Sequence, residues 1–266
     1  MFAASRLRFA PALIFLALLS AAGFAPAFEP EPFEARFDLA VKGFTVGETR
    51  WRVSRVDDGF DYETRTKATG FAAVFGEKQV LERSEWRRFG DSIKPASYRY
   101  ERSGRPDKTT AISFDWKKGV AQSTRRGQTS RMSVPGNALD KLGYMLVLME
   151  DLKAGKRSVR YHIADGKNRM KTYDLKVVAE ERMRTALGNF EVLKIVRDRQ
   201  DDDRETVIWV APKLGYMPVR IEHRERDDES VTISIKSLSR ASLAQTLGTS
   251  TLESSNQAPS EPDDKN

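Results

Sequence analysis

The chain has 266 residues, of which 39% are apolar and 31% are charged, and its formal net charge is +7. This balance is typical of a soluble globular protein and argues against transmembrane spans beyond the N-terminal apolar run. Cysteine is absent, which excludes disulfides and thiolate metal sites, so the fold must depend on an ordinary core.

The N-terminus has the pattern of a secretory signal. Two arginines precede an uncharged apolar run from Phe9 to Phe24, and the small residues Ala25-Pro26-Ala27 follow it. This order predicts a signal peptide over residues 1–27, cleavage after Ala27, and a periplasmic mature chain that starts at Phe28. A retained membrane anchor is the alternative, but the apolar run is too short to span a bilayer comfortably.

Short segments with strand periodicity dominate the chain from Phe33 onward. The first, Phe33–Lys42, alternates apolar and polar residues as half-buried strands do. Turn signals between the segments are closely spaced, which predicts sequential antiparallel strands. The predicted strands cover residues 33–42, 49–56, 60–67, 79–89, 96–102, 109–116, 120–132, 158–163, 170–181, 190–199, 206–210, 217–225 and 231–238.

One segment has a helical period instead. From Asn137 to Leu152 the apolar residues fall on one face, which predicts a helix with Asn137 as its cap and Gly155 just beyond its end. The apolar positions of this stripe are Leu139, Leu142, Met145, Leu146, Met149 and Leu152.

About a dozen strands are too many for a simple flat sheet, because twisted sheets of this size curl or close. The sequence therefore predicts a mainly β fold: a large curved antiparallel sheet or unclosed barrel, with the one central helix as a lid or plug. A β-sandwich is the alternative. Residues 28–240 form the predicted single domain, and residues 241–266, rich in Ser, Thr, Pro and Asp, form a predicted disordered polar tail.

The charge lies mainly on the predicted domain, which carries 42 basic and 34 acidic residues. A basic surface can attract anionic lipid headgroups or lipopolysaccharide, so contact with a membrane surface fits this composition. Nucleic acid is not an expected partner for an exported protein. Many bases stand beside acids, as around Arg224-Glu225-Arg226, so a solvated surface of mixed charge is the simpler interpretation.

Residues that could support catalysis or bind a metal are few. The two histidines, His162 and His223, lie on separate predicted strands without a ligand-spaced partner, and no Gly-x-Ser-x-Gly elbow or phosphate loop is present. Runs of acids, such as Asp57-Asp58 and Asp201-Asp202-Asp203, fall at predicted hairpin tips, where they usually mark solvated turns. We therefore expect no metal, no cofactor and no enzymatic activity.

A glycine-bracketed apolar stretch, Gly70 to Gly76, lies between two predicted strands. Such a loop either packs under the core or lies across an apolar opening. Together with the predicted helix, it could form an adaptable wall around an apolar guest, since Met and aromatic side chains suit this role. The candidate ligand-binding residues are Phe71, Val74, Phe75, Tyr144, Met145 and Met149. The alternative is that all of them are plain core.

Two stretches of the chain carry a resemblance to a known family. Thr185 to Ile195 has the pattern T-x-x-G-x-F at a strand start, and Trp209 to Glu222 has the pattern W-x-A-P-x-x-x-Y-x-P-V-R-I. Both resemble the bacterial exported family called domain of unknown function 3108, over about Phe33 to Leu238. The second pattern also has a structural interpretation: Pro212 and Pro218 end strand pairing, Gly215 allows a turn, and Trp209 and Tyr216 supply core area.

The resemblance implies a fold similar to that of the lipoprotein carriers, an unclosed antiparallel barrel with a helical lid over an apolar cavity. It implies no catalytic residues, and a likeness of fold does not establish function. Our first hypothesis is a non-catalytic periplasmic binder or carrier of an apolar or amphiphilic ligand, such as a lipid, an acyl chain or a lipoprotein. The second is an envelope scaffold or assembly factor that binds a protein partner. A hydrolase ranks last.

Overall fold

The computed structural model describes residues 28–70, 79–167, 169–198, 205–224 and 230–240. Within these ranges the chain forms fifteen β-strands and one α-helix. They are β1 (Phe33–Val41), β2 (Phe44–Val56), β3 (Gly59–Ala68), β4 (Gln79–Phe89), β5 (Ser92–Arg102), β6 (Thr110–Asp115), β7 (Val120–Arg125), β8 (Gln128–Ser133), β9 (Leu139–Asp140), α1 (Tyr144–Lys153), β10 (Ser158–Ala164), β11 (Met170–Thr185), β12 (Gly188–Asp198), β13 (Glu205–Ala211), β14 (Met217–Arg224) and β15 (Ser230–Arg240).

All the strands join one sheet in the order β8-β7-β6-β5-β4-β3-β2-β1-β15-β14-β13-β12-β11-β10-β9. Strands β1 to β8 form one antiparallel meander and β10 to β15 form another, to which β9 adds a parallel edge strand. The β1–β15 pair joins the two halves. The described strands β8 and β9 end the sheet without pairing to each other, so it is unclosed. The predicted mainly β fold with a large curved sheet and a single helix is confirmed, and the alternative sandwich of two sheets is not formed.

The predicted strand over residues 120–132 is wrong, because two strands occupy it. Arg125 of β7 faces Gln128 of β8, and the two residues between them, Arg126 and Gly127, both have positive φ angles of 52° and 74°. A two-residue turn of this kind matches the twist of the flanking strands. An Arg-Gly pair is a weak turn signal, which is why the pattern hid the hairpin.

The predicted helix start at Asn137 is also wrong. Leu139 and Asp140 are extended and pair in parallel with Ile163 and Ala164 of β10, so α1 begins only at Tyr144. The predicted end holds: α1 ends at Lys153, and Gly155 follows with a φ of +84°. Glycine suits this left-handed position after a helix because it has no Cβ.

The Trp209 to Glu222 stretch is the β13–β14 hairpin. A turn of 3-10 helix over Pro212–Leu214 leads to Gly215, whose φ of +62° allows the predicted reversal. Pro218 does not end strand pairing as predicted, because it lies within β14 opposite Val210. Trp209 is buried and donates from Nε1 to Glu181 Oε2 at 3.0 Å.

The core lies on the inner face of the curved sheet and against α1. Antiparallel partners point to the same face, so directly opposed residues form rows across strands. One such row is aliphatic and runs through Val177, Ile195, Ile208, Ile221 and Ile233 of β11 to β15, skipping no strand. In the described part of the chain, α1 is too short to qualify as a membrane span, and no other helix there is a candidate.

Candidate functional site

The start of α1 is held by one buried carboxylate. Asp140, at the end of β9, has no exposed surface, and its Oδ1 accepts hydrogen bonds from the backbone N–H groups of Leu142 and Gly143 at 2.8 and 2.7 Å. These donors belong to the turn that leads into α1, and buried backbone N–H groups need such partners. The N-cap residue is Gly143 and not the predicted Asn137, and Asp140 fixes the turn before it.

The same carboxylate fixes the helix onto the inner face of the sheet. Ser84 of β4 donates from Oγ to Asp140 Oδ2 at 2.5 Å, and the indole Nε1 of Trp86 donates to Ser84 Oγ at 2.7 Å. A Cβ added at Gly143 would lie 2.4 Å from the Trp86 ring. Glycine at this position thus lets the chain pass directly over the indole, which places Tyr144 and Met145 above the sheet.

The far end of α1 is tied to β10, because Tyr161 donates its hydroxyl to Asp151 Oδ2 at 2.7 Å. At the start of the helix, the ring of Tyr144 meets the ring of Tyr173 of β11 edge-on, with centroids 5.2 Å apart. Both ends of the helix are therefore anchored, one to each half of the sheet.

A space of about 250 Å³, called the central cavity, separates the first turn of α1 from the inner face of the sheet. Its apolar wall comes from the start of α1 with the turn before it, and from β1, β2, β14 and β15: Leu39, Trp51, Leu142, Tyr144, Met145, Ile221, Val231 and Ile233. Its polar wall comes mainly from β2, β3 and β4: Thr49, Tyr62, Thr64, Thr66 and Glu82. A cavity with one apolar and one polar wall suits a guest that is itself amphiphilic.

Tyr62 has a distinctive position on the polar wall. Its side chain is fully buried, and its hydroxyl has no hydrogen-bond partner among the described residues. Burial, reinforced by the nearby Tyr144 and Glu82, raises the pKa of this phenol well above its ordinary value. The group is therefore a neutral hydrogen-bonding site, and an unpartnered buried hydroxyl is unfavourable unless something else satisfies it.

Glu82 is the acid of the cavity wall. Tyr98, which is almost fully buried, donates its hydroxyl to Glu82 Oε2 at 2.5 Å. Burial raises the pKa of Glu82, while the bond from Tyr98 and the charge of Lys141 act in the opposite direction. Burial also raises the pKa of Asp140, against the bonds from Ser84 and the two backbone N–H groups. Burial thus shifts the pKa of the cavity-wall acid Glu82 and that of its neighbour Asp140 in the same direction, toward the protonated form.

Of the predicted ligand-binding residues, Tyr144 and Met145 line the central cavity. Met149 is buried in the core on the same helix and is not part of the cavity wall. Phe71, Val74 and Phe75 lie outside the described residues. The role of all six as ligand contacts stays a prediction.

The histidines lie apart, as their strands require. His162 is on β10, and His223 is on β14, where its Nδ1 lies 2.8 Å from Thr206 Oγ1 and its side chain borders the central cavity. In the described ranges, no three His, Asp or Glu side chains gather into a group able to hold a metal ion.

Sequence reasoning missed most of the polar wall, although β3 carried a signal. Phe60, Tyr62, Thr64 and Thr66 share one face of this strand, and the outer face between them is charged. When hydroxyl-bearing residues occupy the alternate positions that would otherwise be apolar, the pattern indicates a strand face that is buried but polar. Glu82 and Asp140 gave no such signal, because long-range pairing alone brings them to the site.

Three solved structures resemble this fold to different degrees. A β-barrel-like protein of domain of unknown function DUF1849 from Brucella abortus has a TM-score of 0.53 and 11% identity, over 80% of this chain and 98% of that chain. This likeness supports the barrel-like fold and nothing further.

The other two likenesses are too weak to compare folds. A candidate lipoprotein from Parabacteroides distasonis has a TM-score of 0.30 and 12% identity, over 81% of this chain and 100% of that chain. A candidate exported protein with a YmcC-like fold from Bacteroides fragilis has a TM-score of 0.31 and 11% identity, with coverage of 81% and 100%.

No protein with a curated description matches this chain. The family model described as Protein of unknown function (DUF3108) matches residues 36–236, which include the whole polar wall, the helix and the β13–β14 hairpin. This chain therefore belongs to the DUF3108 family.

Proposed function

We propose that this protein is a non-catalytic periplasmic binder or carrier of an amphiphilic or apolar ligand, such as a lipid, an acyl chain or the acyl group of a lipoprotein. The observation that carries the proposal is the central cavity, in which helix side chains face a hydroxyl-bearing strand surface. An acyl chain would lie against Met145, Ile221 and Ile233, and a polar ligand atom would meet the phenol and threonines of the opposite wall.

The unpartnered hydroxyl of Tyr62 supports this proposal. A phenylalanine would fill the same apolar volume without a buried polar atom, so a tyrosine is unfavourable for folding alone. A ligand oxygen that accepts the hydroxyl proton would remove this penalty in the bound state. The N-terminal signal pattern supports the periplasm as the place where binding happens.

The test begins with protein purified from its own periplasm and examined by native mass spectrometry. We expect a chain that begins at Phe28 and carries a bound lipid of defined mass. A co-purifying protein in place of a lipid would favour the envelope scaffold, and a mass that retains residues 1–27 would contradict the periplasmic location.

Delipidated protein then allows the cavity itself to be tested with a fluorescent fatty-acid probe. Thr66→Phe fills the polar wall, because Thr66 borders the cavity, and should lower probe affinity at least about tenfold. Thr129→Phe makes the same chemical change on exposed strand β8 and should leave affinity unchanged. Circular dichroism checks that both variants fold. Equal affinity in the two folded variants would contradict the cavity as the binding site.

A further inference from the structure

A second pocket of about 300 Å³ lies beside the central cavity. The two spaces lie along one cross-strand row of the inner face. In this row Trp51, Thr64 and Glu82 face the central cavity, and Tyr100, Thr110 and Arg125 continue across β5, β6 and β7 into the second pocket. Lys141, between β9 and α1, lines both spaces. A ligand passing along this row would enter both.

The second pocket, called the basic pocket, is strongly cationic. Five bases line it, Lys108, Arg125, Arg126, Lys141 and Lys167, together with one acid, Asp165. That acid is already engaged, because Asp165 Oδ2 lies 2.8 Å from Arg169 Nε and 3.9 Å from Lys171 Nζ, two bases outside the lining. Its charge therefore does not neutralise the five.

None of the five bases lies within ion-pair distance of a described carboxylate, and only Lys141 acts electrostatically on the nearby Glu82, whereas bases elsewhere on the sheet commonly form ion pairs. Arg87 contacts Asp61 at 2.8 Å, Arg160 contacts Asp174 at 2.6 Å, and Lys236 contacts Glu48 at 3.0 Å. Like charges that face one small space repel each other, and a bound anion removes this repulsion. The hydroxyl-bearing Tyr100 and Thr110 add hydrogen-bonding groups to the same wall.

We infer that the ligand of this protein is an anionic amphiphile whose compact oxyanion headgroup, a phosphate or carboxylate, binds in the basic pocket while its chain occupies the central cavity. This inference rests on the proposed function and adds the charge and position of the headgroup. Arg125 and Arg126 offer the forked donors that suit such oxyanions, and lysines add point charge. The two spaces together reach the size of ordinary small-molecule sites, about 300 to 1,000 Å³.

Calorimetric titration of delipidated protein with two probes of equal chain length tests the inference. The probes are dodecyl phosphate and its uncharged counterpart dodecanol, and inorganic phosphate is a third titrant. We expect dodecyl phosphate to bind at least about tenfold more tightly than dodecanol, with the difference shrinking as salt is raised. Inorganic phosphate alone should bind far more weakly, because it lacks the chain.

A double variant, Arg125→Gln with Lys167→Gln, removes two pocket charges without breaking any side-chain hydrogen bond or ion pair in the described structure. It should lower dodecyl phosphate affinity at least about tenfold and leave dodecanol binding unchanged. The matched control, Lys117→Gln with Arg184→Gln, changes two exposed bases outside the pocket by the same net charge and should leave both affinities near those of the wild type.

Each other result has a distinct meaning. Equal binding of the two amphiphiles, or an unchanged phosphate preference in the folded pocket variant, overturns the headgroup site and leaves the proposed function standing. Binding of neither amphiphile overturns both. Inorganic phosphate that binds as tightly as dodecyl phosphate makes the pocket a site for a free anion and overturns its role as a headgroup site.

Discussion

The inner face of the sheet has two halves that are stabilised by different physics. In the aliphatic half, β12 to β14, Ile195, Ile208 and Ile221 face one another across strands. In the hydrogen-bonded half, β3 to β5 with the start of α1, the facing residues are Tyr62, Ser84 and Tyr98. The aliphatic half depends on close packing, which has no preferred direction, and the other half depends on hydrogen bonds, which are directional.

This difference separates folding from function. Aliphatic contacts stabilise the sheet but tolerate exchange of one apolar side chain for another of similar volume. The hydrogen-bonded half fixes a geometry, because Asp140 must meet both Ser84 and the helix start at once. That geometry fixes the position of the α1 start, whose Tyr144 and Met145 line the central cavity. Substitutions in the two halves should therefore affect different measurements.

The largest effect on stability is expected in the aliphatic half. Ile208 has no exposed surface, so Ile208→Ala leaves a cavity among close-packed neighbours and should lower the free energy of unfolding by about 2 to 5 kcal/mol. Ile208→Val, the conservative control, should lower it by about 1 kcal/mol. Urea unfolding followed by circular dichroism gives both values. A loss below about 1 kcal/mol for the alanine variant would show that this half is loosely packed.

A smaller loss of stability is expected when Asp140, the carboxylate that holds the start of α1, is replaced. Asp140→Ala leaves buried donors on Leu142, Gly143 and Ser84 without their acceptor, at a cost of about 2 to 3 kcal/mol. Probe binding should weaken too, since the helix start forms one cavity wall. Asp140→Asn keeps an oxygen acceptor and should lose less stability. Equal losses in the two variants would argue against a role for these hydrogen bonds in holding the helix start.

Comparison of the wild type with Asp140→Asn over a range of pH tests the charge on Asp140. Burial raises the pKa of Asp140, so the folded state holds the proton more tightly than the unfolded state does. Its stabilising contribution is then complete below the unfolded pKa of about 3.9 and is lost as pH rises through the raised folded value. As pH rises above about 4, the wild type should therefore lose stability relative to Asp140→Asn. A difference that is independent of pH would contradict this shift.

The strand pattern was largely predictable from the sequence, and in the aliphatic half the predicted bounds of β12, β13 and β14 lie within two residues of the observed ones. Strong alternation gave β1, β3 and β4 within a residue or two of their observed bounds, because period and burial agree there. The hairpin at Arg126-Gly127 was not predicted because an Arg-Gly pair is an uncommon turn sequence. The start of α1 was predicted wrongly because the parallel pairing of Leu139 with Ile163, 24 positions apart in the chain, overrides the local helical period.

The hydrogen-bonded half was predictable only in part. Met145 could be proposed for a cavity wall from the helical period, and Tyr144 from its aromatic side chain on the same predicted helix. Their polar counterparts could not, because Glu82 and Tyr98 meet on neighbouring strands, and only the pairing register brings them together. The basic pocket likewise unites β7 with the turn after β10, where Ser123 Oγ donates to Gly166 O at 3.0 Å. Composition revealed the positive charge but not its position.

The smallest expected effect on stability separates two roles within the hydrogen-bonded half, structural hydrogen bonding and ligand binding. Tyr62→Phe removes a buried hydroxyl that has no described partner, so the free protein should be unchanged or more stable by up to about 1 kcal/mol. Tyr98→Phe is the matched control, because the Tyr98 hydroxyl donates to Glu82, and its loss should lower stability by about 1 to 2 kcal/mol. Thermal unfolding of delipidated protein gives both values.

If the Tyr62 hydroxyl serves the ligand, Tyr62→Phe should also weaken amphiphile binding several-fold while the fold stays intact. A clear loss of stability in the free Tyr62→Phe protein would mean that this hydroxyl belongs to the hydrogen-bonded core and not to the binding wall.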